Sequence, residues 1–189
     1  VVPTRLCLAR LWRFALTAAL VCLAALVSRV FARGLSAGPV WIADAVTLAA
    51  ALKAGPGRRV DALAAGFLGG ASAAFLNGVD PLLAATVPAF NVLGSGACAA
   101  IMLIPRQGQP DLMRRRDLAL FILGALAAAA ISTAGAGLML GLVENQSPLV
   151  SLPAWGLADG VGLIMVTPVL LMLGDVRAQL LARTVTGGR

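Results

Sequence analysis

Three polar side chains stand inside stretches that are otherwise apolar, and any chemistry this chain does has to start from them: Asp44, Asn91 and Asp159. The most telling is Asp159, within the run WGLADGVGLIMVTPVLLML from Trp155 to Leu173. Those 19 residues are long enough to cross a hydrocarbon core of about 30 Å at about 1.5 Å per residue. A carboxylate in such a helix costs about 2.5–3.5 kcal/mol on insertion scales, so it is expected to face a partner or a wet cavity and not lipid. Trp155, Asp159, Gly162 and Val166 follow the spacing of one helical face, which therefore carries a ring, an acid and a gap. Pro168 removes a backbone donor and frees the carbonyl of Ile164, and the Thr167 hydroxyl is the nearest group able to repair it. The same features also describe a packing groove, at Gly156 and Gly160, and a static kink. Asn91 shares its half of a helix with Pro88, a second pairing of a polar group and a kink.

The composition says where these residues work. Hydrophobic residues make up 60% of the 189, charged residues 12%, and mean hydropathy is +0.93, far from a soluble globular chain. The chain is an integral membrane protein, with the lipid bilayer as its first partner. Its net charge of +7 sits in short clusters between apolar runs, which the positive-inside rule explains without nucleic acid. With no histidine there is no imidazole base or ligand. Cys7, Cys22 and Cys98 are too scattered for a disulfide framework or a metal site, and no cofactor is indicated. No close pair of carboxylates and no Ser or Cys beside a base points to an enzyme, so no catalytic residue is assigned.

The elements that position the polar groups follow in order. Arg5, Arg10 and Arg13 precede a first span from Phe14 to Phe31, with Trp12 as an interfacial anchor. This run is too long for a cleavable signal and is expected to stay in the mature protein. A loop through Gly38-Pro39 leads to Val40–Ala54, which opens with Trp41 and holds Asp44. Its 15 residues rise only about 22 Å, so we read it as a thin span closed by Lys53, Arg58 and Arg59. Val60–Leu76 carries a small-residue stripe at Gly66, Gly70 and Ala74, and Asn77-Gly78 with Asp80-Pro81 marks a tight turn. Leu82–Ile104 places Gly94, Cys98 and Met102 on one stripe, and Leu118–Leu142 does the same with Gly124, Ala128, Ser132 and Ala136. Arg106, Arg114, Arg115 and Arg116 form the densest basic cluster, for topology or anionic-lipid contact, while Glu144, Asn145 and Gln146 open the following loop. Placing the basic clusters on one side leaves only Arg29 and Arg33 on the other. The fold class is therefore all-α: a polytopic bundle of about six spans with both termini cytoplasmic. Residues 1–13 form a cytoplasmic segment, 14–173 the membrane domain and 174–189 a cytoplasmic linker, in which Asp175 to Arg183 can continue the last helix.

The last helix resembles the closing signature of the membrane-associated sensor domain, first class, a bacterial input module. The resemblance rests on Trp155, Asp159, Gly162 and Val166-Thr167-Pro168, with weaker support from Trp41, Gly66-Phe67-Leu68 and Ala89-Phe90-Asn91-Val92-Leu93. It runs from about Trp41 to Leu173. After Trp41 the family usually shows prolines and a small polar residue with glycine, where this chain has Ile42-Ala43-Asp44-Ala45. The resemblance implies a bacterial inner-membrane sensor with no catalytic role of its own. Its output would be a histidine kinase or diguanylate cyclase module, in cis or as a separate partner, acting as a homodimer in two-component or cyclic-di-GMP signalling. On that reading Asp159, Asn91, Asp44, Trp155 and Trp41 take the ligand or signal, and Thr167, Pro168, Gly162 and Pro88 kink and relay. The residues taken alone also fit a small-solute transporter or membrane substrate-binding subunit, because broken helices with midplane polar groups describe transport sites too. A structural subunit whose acids pair internally is the third reading.

Overall fold

The computed structural model describes residues 2–32, 40–103, 110–144 and 148–186. Six α-helices account for nearly all of them: α1 (Val2–Ala32), α2 (Ile42–Lys53), α3 (Arg59–Leu76), α4 (Pro81–Leu103), α5 (Arg115–Glu144) and α6 (Pro148–Thr186), with one 3-10 turn at Pro56–Arg58. The expected loop at Gly38-Pro39, Arg33, Pro105, Arg106, Asn145 and Gln146 lie outside the described residues, as do the side chains of Arg5, Glu144 and Asp175 to Arg183.

Five helices are long and apolar enough to cross a membrane, namely α1 and α3 to α6. Their outer faces carry large apolar side chains, such as Leu16, Leu20 and Leu23 on α1 and Ile122, Leu123 and Leu126 on α5, as a lipid-facing surface requires. The exception is α2. Its 12 residues rise about 18 Å, so the thin span expected from sequence is shorter still as a helix. Yet it has the direction of a crossing. Trp41, just before it, lies against Ala158, and Lys53 at its far end lies against Leu170 and Leu171, so α2 runs parallel to α6. It is enclosed by α1, α3, α4 and α6, which is why Ala45, Leu48 and Ala51 are fully buried.

Small residues set the rest of the packing. α4 and α5 are antiparallel and meet through the stripes expected from sequence, Gly94 against the Ala128 backbone and Gly124 against Cys98. α5 and α6 pair in the same way, Thr133 beside Gly156 and Ala129 beside Gly160, which makes the glycines of α6 the packing groove considered above. α1 and α3 run parallel, with Val21 over Gly69 and Arg10 gripping Asp61 through both carboxylate oxygens at 2.6 and 2.7 Å. Between α3 and α4 the chain reverses at Gly78, whose φ of 67° favours glycine. Asp80 then caps α4 by accepting from the Leu82 N–H at 2.8 Å. Leu48, Leu52, Met102, Phe121 and Leu163 fill the core between α2, α4, α5 and α6.

A Cβ at position 94 would stand 2.6 Å from the Ala128 carbonyl oxygen. Gly94→Val is therefore expected to push α4 off α5 and lower stability by about 1–3 kcal/mol, measured by unfolding in mixed micelles. Stability equal to the wild type would contradict the close approach.

Candidate functional site

The site is built on the start of α2. Chain entering a membrane without helical structure leaves backbone N–H groups that need partners. Here the Trp41 N–H donates to the Ala158 carbonyl of α6 at 3.0 Å, and the Ile42 N–H donates to Ser28 Oγ of α1, also at 3.0 Å. Gly162 makes this docking fit. A Cβ there would run into the Trp41 backbone, so the gap on the α6 face is filled by the extended chain before α2. At the other end Lys53 Nζ donates to the Leu171 carbonyl at 2.6 Å and to that of Leu170 at 3.2 Å. α2 is thus fastened to α6 at both ends.

Above this joint lies a cavity of about 300 Å³ with walls from all six helices. Asp44, in the first turn of α2 where the helix dipole favours an acid, lines it together with Trp41, Thr47, Asn91, Trp155 and Arg29. Val21, Leu83, Val87 and Leu140 supply the apolar wall, Pro88 sits next to Asn91, and Gly66 and Gly70 leave room on the α3 side. The Trp41 indole and the Asn91 amide are neighbours of the Asp44 carboxyl. Trp41 Nε1 and Asn91 Oδ1 are nevertheless buried without a hydrogen-bond partner, one donor and one acceptor held open beside the cavity. Unmet buried polar atoms are costly in an apolar interior, so such a pair is a feature that calls for an explanation.

Asp159 faces a partner, one of the two surroundings its sequence position allows. It does not line the cavity: it is 1% exposed and accepts a hydrogen bond from Ser132 Oγ of α5. It stands behind Asp44, near enough to act on it electrostatically. Thr167 departs from expectation. Its Oγ1 is buried with no partner, so it does not repair the Ile164 carbonyl freed by Pro168. The structure therefore brings Trp41, Asp44, Asn91, Pro88 and Trp155 together around one space and packs Gly162 under Trp41. It leaves Asp159 one layer behind, and Thr167 and Pro168 lower on α6.

Several residues of the site escaped sequence reasoning. Arg29 counts as a loop cation by charge, but it belongs to α1 and faces the cavity. Ser132 reads as one member of a packing stripe, and only the fold shows its hydroxyl on Asp159. Ser28 and Lys53 carry no signal in sequence beyond being polar at the edge of an apolar run. Among the described residues no three His, Cys, Asp or Glu side chains converge on a point where a metal would sit.

Removing the Ser132 hydroxyl leaves a buried carboxyl without its donor. Ser132→Ala is expected to lose about 1–3 kcal/mol of stability, and much less in an Asp159→Leu background, where the partner is already gone. Equal losses in both backgrounds, by unfolding in mixed micelles, would sink the pair.

Comparison with known proteins bears on this architecture. The MASE1 family model matches residues 11–183, which reaches into all six helices. Neither the curated proteins nor the solved structures contain a match to this chain. The match extends beyond the stretch from Trp41 to Leu173 that carries the resemblance in sequence, and it covers both the cavity and the α2–α6 joint. The chain belongs to the MASE1 family, a family of membrane sensory input domains, and is a multi-pass protein of the inner membrane.

Proposed function

We propose that this chain detects a small ligand in the cavity beside α2 and passes its presence through α6 to a cytoplasmic output module, in cis or as a separate dimeric signalling partner. The observation that carries this reading is the double role of α2. It presents Asp44 to the cavity, together with Trp41 just before it, and it is tied to α6 at Ala158 and again at Leu170 and Leu171. α6 is the element that can carry a displacement out of the membrane. It continues as helix to Thr186, well past the end of the apolar span at Leu173.

The ligand's chemistry follows from the open groups. It accepts a hydrogen bond from Trp41 Nε1, donates to Asn91 Oδ1 and Asp44, and lays an apolar part against Val21, Leu83 and Val87. It switches the protein only by binding one α2–α6 arrangement more tightly than another. Asp159 acts from behind by holding α5 and α6 together at the level of Asp44.

The test is a fusion of the chain to a cytoplasmic reporter enzyme, read across growth conditions. Asn91→Leu and Asp44→Asn are expected to fix the output at one level in every condition, and Lys53→Met to blunt the response by loosening the tie to α6. A wild-type response that survives both cavity substitutions would remove the cavity from the account.

A further inference from the structure

A second recess lies at the opposite end of α2, where the basic residues gather. It has a volume of about 280 Å³ and lies between α1, α2, the 3-10 turn and α3. Four cations line it, Arg10, Arg13, Lys53 and Arg58, against one acid, Asp61. Asp61 is already taken by the two-pronged grip of Arg10, and the Lys53 ammonium is held against the α6 carbonyls. Arg13 and Arg58 are exposed and reach the recess from two different elements, one on each side. Phe14 of α1 and alanines of α2 and α3 form the rest of the wall. The electrostatic balance is strongly positive in a place that is half apolar.

We propose that this recess binds the phosphate of an anionic membrane lipid. An oxyanion is the group that fits two exposed guanidinium forks with a third cation at its back, because each fork offers paired donors to phosphate oxygens. The depth identifies the lipid as its source. Trp12, 68% exposed between Arg10 and Arg13 on the same helix, marks the level of the membrane interface. The apolar wall and the exposed Leu16, a turn further into the membrane, continue the recess toward the acyl region. Basic pockets between spanning helices at this level suit lipid headgroups. A soluble phosphate offers the same oxygens but nothing for Phe14 and Leu16 to cover. The site is separate from the cavity near Asp44 and does not depend on that cavity's ligand.

The test uses the whole 189-residue chain, purified in neutral detergent and mixed with equal amounts of phosphatidylglycerol and phosphatidylcholine of the same chain length. Native mass spectrometry counts the lipids retained. Phosphatidylglycerol is expected to be kept in preference, and Arg13→Gln with Arg58→Gln to weaken that preference by about 30-fold, two surface cations' worth. Both residues are exposed, so the double variant should fold, and its helical circular dichroism checks this. In the wild type, 1 M salt should erase the preference by screening. Equal retention of the two lipids, a preference unchanged in the double variant, or displacement of the lipid by millimolar inorganic phosphate would each overturn the assignment.

Discussion

A peptide N–H inside a membrane has no water to fall back on, and in this protein that requirement is sharpest at Trp41. The residue lies outside any helix, yet its N–H meets the Ala158 carbonyl in the first third of α6. The next N–H, at Ile42, meets Ser28 on α1. These two bonds let a helix begin part-way through the bilayer without an orphaned donor, and α2 can then be only 12 residues long and still be buried on every side. Gly162 is the condition for both, because any side chain there would occupy the space of the Trp41 backbone.

Starting α2 inside the bundle has a further effect. It puts a helix N-terminus, with its partial positive charge, next to a cavity at membrane depth, and Asp44 sits in that first turn. An ordinary full-length span would have carried this terminus out to the interface. The cavity's polar lining, its access to all six helices and its mechanical link to α6 thus come from one departure from regular structure. Ser132 and Asp159 complete the arrangement by joining α5 to α6 behind Asp44. On the proposed reading the ligand-facing and membrane-leaving tasks of a sensor are divided between α2 and α6, which are fastened to each other at both ends of the shorter one.

Much of this was legible in sequence, and the reasons for success and failure are physical. Apolar length marked the five long spans because lipid imposes it on each helix separately. Small-residue stripes at Gly94 and Cys98 and at Gly124 and Ala128 marked faces for close packing, which the fold pairs with each other, since close approach needs small side chains on both partners. Asp44 and Asn91 stood out because polar groups are costly in such runs. What sequence could not show was pairing between helices. Asp159 called for a partner that sequence could not name until Ser132 supplied it, Arg29 counted only as a cation near the end of the first span although it lines the cavity, and Thr167 looked like a repair for Pro168 although its hydroxyl meets nothing. Gly162 was read as a gap, correctly, but only the fold shows that a distant backbone segment of the same chain, at Trp41, fills it.

The most direct test of the α2–α6 joint is amide hydrogen exchange of residues 40–53 in lipid nanodiscs, compared between the wild type and Gly162→Val. The account predicts that Trp41 and the first turn of α2 exchange slowly in the wild type, as docked backbone does, and that the valine speeds exchange there and in the facing part of α6 together. Fast exchange at Trp41 in the wild type, or protection unchanged by the valine, would contradict it.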